Sequence, residues 1–242
     1  MSETNTQKKG KLYLIPTPLA ENTNQKMVTA ELEEVLKSVD YFLVENIRTA
    51  RRFISSLNLG LTIEDLRFEV LNKDTNKEDV DDFCAPLLEG KDIGVMSEAG
   101  CPGVADPGNL AVQYAHQHTI EVIPLAGPSS ILMALMASGF NGQSFTFHGY
   151  LPIDQNPRRH KIQELEKDVY RKKTTQIFME TPYRNNQLLD DLRKLCKPYT
   201  KLCVAKDISG EQQTIVTKSI QDWRKYKLDL HKVPTVFLLY KD

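Results

Sequence analysis

A loop rich in glycine and proline follows the apolar run from Ile93 to Met96 and is the segment best suited to bind a ligand. It reads SEAGCPGVADPG from Ser97 to Gly108. Glycine lets the backbone approach a ligand more closely than a Cβ would allow, and proline restricts the conformations of the loop. The pattern predicts a preorganised binding loop, although ordinary strand-to-helix connections also carry both residues.

A second loop of this kind lies about twenty residues further on. The segment from Ile123 to Ser130 reads IPLAGPSS, in which an apolar run leads into Gly-Pro and then into two serines suited to cap a helix. Loops at the carboxyl ends of parallel strands meet at one edge of a sheet. The two loops therefore predict a single ligand cleft, with Ser129 either near the ligand or acting as a helix cap.

The acid Glu45 and the cation Arg48 follow the apolar run from Tyr41 to Val44. A carboxylate can take a proton, and a guanidinium can hold a phosphate or another carboxylate. An ordinary ion pair at the start of a helix is the alternative interpretation. The chain has neither GxGxxG after its first strand nor GxxxxGK[ST], which excludes the usual dinucleotide-binding and nucleotide-hydrolysing loops.

The four cysteines, Cys84, Cys101, Cys196 and Cys203, are scattered along the chain. They form no CxxC pair, and no histidine pair has the spacing of metal ligands. The sequence therefore predicts reduced thiols, with no metal and no disulfide framework. A nucleophilic role for Cys101 is not favoured, because no histidine lies near it in sequence.

The net charge of −1 conceals two halves of opposite sign. Residues 1–142 contain 12 Lys and Arg against 20 Asp and Glu, whereas residues 143–242 contain 19 against 12, giving −8 and +7. The positive half favours contact with a polyanion such as RNA, and its basic clusters are 158–161 and 171–173. Solvated helix faces are the alternative for these clusters, and Trp223 is expected to pack a surface helix.

Apolar runs that alternate with helical patterns predict an α/β fold of two domains. A disordered tail over residues 1–9 precedes an N-terminal domain over 10–140 with a doubly wound, mostly parallel sheet. The turn-rich break Gly139–Gln143 separates it from a C-terminal domain over 143–242 with a mixed sheet. No run is long enough to span a membrane and the first residues have no signal-peptide character, so we expect a cytoplasmic protein.

Five motifs in this order resemble the tetrapyrrole methylase family over residues 10–240. They are LYLIPTPLAEN from Leu12, VENIRTARRF from Val44, the loop from Ser97, AGPSS from Ala126, and METPYRN from Met179. The resemblance implies a methyltransferase that holds S-adenosylmethionine in a cleft between two α/β domains, and a homodimer. Within the family, the motifs are most similar to the branch that methylates ribosomal RNA at a ribose 2′-hydroxyl.

The resemblance also implies which residues form the site. Glu45 and Arg48 would lie near the acceptor, with no metal involved. The cofactor would be contacted by residues from several segments, namely Pro18, Ser97, Glu98, Ala99, Gly100, Val104, Asp106, Ser129, Ser130, Glu180 and Tyr183.

Several positions depart from the family pattern. Glu98 replaces Asp, Cys101 replaces Thr, and Asn46 replaces an acid. Tyr183 replaces His, and Lys206-Asp207-Ile208 stands where the RNA enzymes have Arg-Glu-Leu. Two alternatives therefore stay open: a methyltransferase acting on a tetrapyrrole or another small molecule, and a binding module that keeps the cofactor pocket without turnover.

Overall fold

The computed structural model describes residues 8–241. The chain divides into two compact units, one up to Pro128 and one from Ser129. Residues 1–7 of the predicted disordered tail lie outside the described residues. Lys9, the last residue of that predicted tail, donates from Nζ to the carbonyl oxygen of His118 over 2.6 Å.

The first unit contains one five-stranded sheet whose paired strands are all parallel, in the order β3-β2-β4-β1-β5. Its elements are β1 (Lys11–Ile15), α1 (Ala30–Ser38), β2 (Tyr41–Val44), α2 (Ile47–Ser56), β3 (Arg67–Val70), α3 (Lys77–Cys84), β4 (Ile93–Met96), α4 (Asn109–Gln117) and β5 (Glu121–Pro124).

Helices cover both faces of this sheet. Apolar residues of α1 and α2 pack with Ile15 and Phe42 on one face. Those of α3 and α4 pack with Leu12 and Leu43 on the other. Burial on both faces explains why these strands are continuous apolar runs rather than alternating ones. The predicted doubly wound parallel sheet is confirmed.

The strand order determines where a ligand can reach this sheet. β1 and β4 are neighbours, yet the chain leaves β1 for α1 on one face and leaves β4 for α4 on the other. A crevice opens at the carboxyl ends of strands whose connections diverge in this way. The Gly-Pro loop from Ser97 begins at this point.

The second unit contains a mixed five-stranded sheet in the order β6-β7-β10-β8-β9, in which only β6 and β7 pair in parallel. Its elements are α5 (Ser130–Ser138), β6 (Phe145–Tyr150), α6 (Gln155–Lys172), β7 (Thr175–Met179), α7 (Asn185–Leu195), β8 (Lys201–Lys206), β9 (Thr214–Ser219), α8 (Ile220–Trp223) and β10 (Thr235–Tyr240). The predicted mixed sheet is confirmed.

Helix α5 belongs to the second unit rather than to the N-terminal domain over 10–140. It contacts β8, β9 and β10, and the division of the chain falls between Pro128 and Ser129. The turn-rich break after Ser138 therefore lies within the second unit, as the connection from α5 to β6.

Trp223 packs the short helix α8 onto the core as expected, whereas Arg158, expected in an exposed basic cluster, is buried. Trp223 is in the core of the second unit, where its indole N–H donates to the carbonyl oxygen of Leu202 over 2.8 Å. The Arg158 side chain is 1% exposed and pairs with Asp191 at 2.8 Å. It lies on the inward face of α6, four residues before Ile162. Arg158 is therefore not available to contact a phosphate.

The strand β3 was not predicted, because it is a short edge strand with exposed and half-buried residues rather than an apolar run. In the described part of the chain, no helix has the length and apolar character needed to cross a membrane.

Candidate active site

The loop after β4 is held in shape by a carboxylate of its own. Asp106 Oδ1 accepts hydrogen bonds from the N–H groups of Gly103 and Gly108, at 2.8 and 2.6 Å. A Cβ on Gly108 would lie 2.8 Å from Asp106 Oδ1 and 2.9 Å from the Gly103 nitrogen, so only glycine fits there. Asp106, predicted to contact the cofactor, thus organises the backbone of the binding loop.

Backbone hydrogen bonds join this loop to the one that follows β1. Thr17 and Gly100 exchange both of their N–H to carbonyl bonds, at 2.9 and 3.1 Å. The Thr17 hydroxyl donates to the carbonyl oxygen of Ser97 over 3.2 Å. Gly100 has a φ of +83°, which glycine adopts easily. Sequence reasoning missed Thr17, whose only signal is its place in the Pro-Thr-Pro that follows an apolar strand.

Glu45 lies at the end of β2 and also contacts the loop after β4. Its Oε2 accepts the N–H of Glu98 over 2.8 Å. Burial raises the pKa of the Glu45 carboxyl, as do the nearby Asp106 and Glu98 carboxylates, while the hydrogen bond from Glu98 opposes the shift. A raised pKa is common among residues that exchange protons in active sites.

The segment after Glu45 explains one departure from the family pattern. Asn46 is the N-cap of α2, and its Oδ1 accepts the Thr49 N–H over 3.2 Å. Asp and Asn cap helices about equally well. Asn46, in the place of the family's acidic residue, therefore preserves the local structure. Arg48 is exposed in the first turn of α2 and forms no ion pair with any described residue, so the alternative of a Glu45–Arg48 pair is wrong.

Residues of the loop after β4 line two pockets, and Glu98 lines both. The first has a volume of about 320 Å³ and is bounded by Pro18, Ser97, Ala99 and residues of α2. The second has a volume of about 810 Å³ and is bounded by Glu45, Asn46, Asn72, Lys73, Glu98, Gly103, Ala105, Asp106, Pro107 and Asn109. Val104 lines neither pocket and is 51% exposed.

Asn72 and Lys73 were missed by sequence reasoning. They follow β3, the edge strand that the apolar pattern did not reveal, and they line the larger pocket together with Glu45. The polar run from Asn72 to Asn76 is the only sequence signal for a loop at this edge of the sheet.

The predicted site residues of the second unit divide into helix-capping and strand-end positions. Ser129 caps α5 through a hydrogen bond from the Leu132 N–H at 3.4 Å, and Ser130 is the first residue of that helix. Glu180, at the end of β7, is buried. Its Oε1 accepts from the Thr181 N–H and from Arg184, both at 2.6 Å. The structure thus places Ser129 and Ser130 at the start of α5 and Glu180 directly after β7.

Comparison with known proteins identifies the family. Residues 11–223 match the family described as tetrapyrrole (corrin/porphyrin) methylases. The chain belongs to the tetrapyrrole methylase family. The predicted resemblance and the class of enzyme, a methyltransferase, are therefore confirmed, and so is the cofactor that this family uses, S-adenosylmethionine.

Individual methylases are similar over most of the chain. Ribosomal RNA small subunit methyltransferase I of Vibrio cholerae is 31% identical over 204 residues, 84% of this chain and 67% of its own. The protein of the same name from Halalkalibacterium halodurans is 34% identical over 185 residues, 76% and 60%. The crystal structure of the methyltransferase CobJ shares the fold, with a TM-score of 0.65 at 18% identity over 96% of this chain and 94% of its own.

The residues present suit the chemical groups of S-adenosylmethionine. Both pocket volumes fall in the range of small-molecule sites, roughly 300–1,000 Å³. The larger pocket carries three carboxylates, which suit a cationic sulfonium. In the second unit, Glu180 Oε2 is buried and has no hydrogen-bond partner among residues 8–241, so it can accept from a ligand hydroxyl or amine.

The positions of the cysteines and of the other potential metal ligands differ from those expected for a metal-binding site. No group of three or more His, Cys, Asp or Glu with metal-binding geometry occurs between Lys8 and Lys241. All four cysteines are free thiols. Burial raises the pKa of Cys84 to about 12, and the pKa of the half-buried Cys101 is raised by burial and by Asp106. Such thiols are poor nucleophiles at neutral pH.

Proposed function

We propose that this methylase transfers a methyl group from S-adenosylmethionine to a ribose 2′-hydroxyl of small-subunit ribosomal RNA. The observation that carries the proposal is the similarity, through both units, to relatives named for that RNA. The chain spans 67% and 60% of the length of the two relatives of that name described above. Their names favour RNA over a tetrapyrrole acceptor.

The acceptor end of the site is best supported at Glu45 and Arg48. When bound, S-adenosylmethionine supplies a methyl group already activated for in-line displacement, so the protein must mainly align the acceptor and manage its proton. Glu45 has one carboxylate oxygen fixed by the Glu98 N–H. We assign to its Oε1 the proton of the acceptor hydroxyl, and the raised pKa favours that transfer.

Arg48 fits a role in holding the phosphate next to the acceptor. A cation in the first turn of a helix gains nothing from the helix dipole, and Arg48 has no acidic partner within the described chain. A guanidinium can bind a phosphate through two parallel hydrogen bonds. Arg48 is therefore the arginine of the first unit that we assign to the RNA backbone.

The cofactor residues stay predictions for each unit separately. In the first unit we propose Pro18, Ser97, Glu98, Ala99 and Gly100, whose loops are joined through Thr17. In the second we propose Glu180, through its unpartnered Oε2. Asp106, Ser129 and Ser130 stay proposed cofactor contacts, and Asp106 and Ser129 in addition shape the binding loop and cap α5. The family resemblance predicts that the cofactor binds in a cleft between the domains, and this stays a prediction.

The second unit is the one that we propose holds the RNA. Its net charge is +7, and Arg159, Arg171 and Lys173 are exposed. Lys161 and Lys172 also lie in the basic clusters but pair with Glu164 and Asp168. The homodimer and the cytoplasmic location are also proposals. Light scattering during size-exclusion chromatography tests the first, and fractionation of cells tests the second.

Methyl transfer to small ribosomal subunits tests the proposed function. Purified protein and radiolabelled S-adenosylmethionine are incubated with subunits that lack the modification, and the labelled nucleotide is then tested for resistance to alkaline cleavage. We expect label in a 2′-O-methylated nucleotide, and Glu45→Ala serves as the inactive control. Label only on a tetrapyrrole supports the small-molecule alternative. Calorimetric binding of S-adenosylmethionine with no transfer to either supports the non-catalytic one.

A further inference from the structure

An exposed tyrosine occupies the loop that follows β7. Tyr183 is 71% exposed and stands three residues after the buried Glu180. Its ring is therefore accessible to a ligand from solvent. Within the described chain, its ring contacts are with the two residues discussed next.

Two basic side chains flank the Tyr183 ring. The Lys232 ammonium lies 5.8 Å from the ring centroid, and the His231 ring meets it edge-on with 6.4 Å between centroids. The strand register brings a second lysine, Lys206, to the same edge of the sheet. Val236 pairs with Met179 at the end of β7, and Thr235 pairs with Lys206 at the end of β8. We call Tyr183, Lys206, His231 and Lys232 the Tyr183 platform.

The segments beneath the platform are fixed by hydrogen bonds. Glu180 pairs with Arg184 at 2.6 Å. The Lys232 N–H donates to the carbonyl oxygen of Pro182 over 3.1 Å, and Asn185 Nδ2 donates to that of Val233 over 2.7 Å. The loop that carries Tyr183 and the segment that carries Lys232 are thus bound to each other. A rigid aromatic surface loses little conformational entropy when a ligand stacks on it.

The platform also carries the charge of a nucleic-acid contact. Lys206 and Lys232 are cationic at neutral pH, and His231 and Lys232 are exposed. Asp229 is the acid beside them, and it accepts hydrogen bonds from Asn186 and from the His231 N–H, at 2.8 and 3.0 Å. Aromatic rings that hold bases, with cations along the backbone, are the usual means of binding single-stranded nucleic acid.

We infer that the Tyr183 platform stacks a base of single-stranded acceptor RNA, with Lys206 and Lys232 on the adjoining phosphates, and that Tyr183 does not contact the cofactor. This inference rests on the proposed function, since it assigns part of the RNA substrate to named residues. It also gives a reason for Tyr in place of the family's His, because a larger ring offers more stacking surface.

The test compares two equally exposed tyrosines. Binding of a fluorescein-labelled single-stranded RNA is measured by anisotropy for the wild type, Tyr183→Ala, Tyr183→Phe and the control Tyr199→Ala. Tyr199 is 73% exposed and lies between α7 and β8. We expect Tyr183→Ala to weaken RNA binding by about 10-fold, with Tyr183→Phe and Tyr199→Ala close to the wild type. The dissociation constant of S-adenosylmethionine, measured by calorimetry, should stay the same in all four proteins.

A second variant tests the phosphate contacts. Lys232→Gln should reduce the slope of the logarithm of the RNA association constant against the logarithm of salt concentration by about 0.7, the value for one phosphate of a single strand. An unchanged slope overturns that part of the inference.

Other outcomes separate this inference from the proposed function. Equal RNA affinity of Tyr183→Ala and the wild type overturns the Tyr183 platform while leaving the function intact. Weaker binding of S-adenosylmethionine with unchanged RNA binding also overturns it and assigns Tyr183 to the cofactor pocket. A wild type that binds S-adenosylmethionine but neither binds nor methylates RNA overturns both.

Discussion

The two units differ in the partners of several charged side chains, although Glu180 of the second unit also accepts a backbone N–H. The first, with a net charge of −8, directs the carboxylates of its site at backbone N–H groups, as Asp106 does with Gly103 and Glu45 does with Glu98. The second, with +7, buries charges as ion pairs between side chains, as in Arg158 with Asp191. Carboxylates thus shape the binding loops of one unit, and ion pairs fix the scaffold of the other.

The difference suggests that the two units contribute differently to binding an anionic substrate. Carboxylates around Glu45 favour a cationic ligand and repel phosphates, so the first unit is poorly suited to attract RNA. Under the proposed function, the exposed cations of the second unit supply that attraction, and Arg48 is the one proposed phosphate contact in the first unit.

The largest expected effect is on the stability of the second unit. Arg158→Ala leaves Asp191 without its buried partner, so we expect a loss of about 3–5 kcal/mol in the free energy of unfolding. Urea denaturation measures it. The exposed neighbour supplies the control, since Arg159→Ala should change stability by no more than about 0.5 kcal/mol. Equal effects of the two variants would mean that the ion pair does not fix the scaffold.

The next effect distinguishes the carboxylate-shaped loop from an ordinary turn. Gly108→Ala places a Cβ against Asp106 and Gly103, which should displace the loop. Because a small displacement of binding groups is costly, we expect the affinity for S-adenosylmethionine to fall by about ten-fold or more. Gly142→Ala in the second unit is the matched control, because a Cβ there meets nothing within 4 Å. Calorimetric titration measures both, and an unchanged affinity for Gly108→Ala contradicts the proposed loop.

A smaller effect should appear in the salt dependence of RNA binding. Replacing Arg159 and Arg171 together by Ala should reduce the slope against salt by about 0.7 for each single-strand phosphate that the variant no longer neutralises. Lys37→Ala, a basic position on α1 in the first unit, should leave the slope unchanged. If Lys37→Ala reduces the slope as much, the opposite charges of the two units do not direct RNA to the second.

The smallest expected effect concerns the cost of ionising Glu45. Burial raises its folded pKa above the ordinary value of 4.5, so ionisation disfavours the folded state at pH values above that range. Glu45→Gln should therefore slightly stabilise the protein at neutral pH. The gain should vanish as the pH falls through the folded pKa towards 4.5, where the wild-type carboxyl is protonated in both states. Melting temperatures measured against pH test this, and a gain independent of pH contradicts it.

The sequence predicted the buried strands well because their side chains alone determine burial. The strand β4 has the same bounds as the apolar run from Ile93 to Met96 that indicated the binding loop. The edge strand β3 escaped because only half of its surface is covered. Arg158 was misplaced for another reason: its polar partner, Asp191, lies 33 residues away in sequence.

The sequence predicted the location of the candidate site, but it did not predict which hydrogen bonds its side chains form. Gly and Pro reveal the loop from Ser97 to Gly108, since their backbone preferences are local. That Asp106 turns back onto its own loop, and that Glu45 reaches the Glu98 N–H 53 residues away, depends on the folded sheet. The polar segment at Asn72 was missed together with the strand that positions it.

The paired hydrogen bonds between Thr17 and Gly100 have a further consequence. They join the loop after β1 to the loop after β4, so displacement of either loop strains both. The entropy lost in ordering these two segments falls largely on folding rather than on ligand capture. A substrate that displaces one loop therefore also displaces the other. The two loops move together rather than independently.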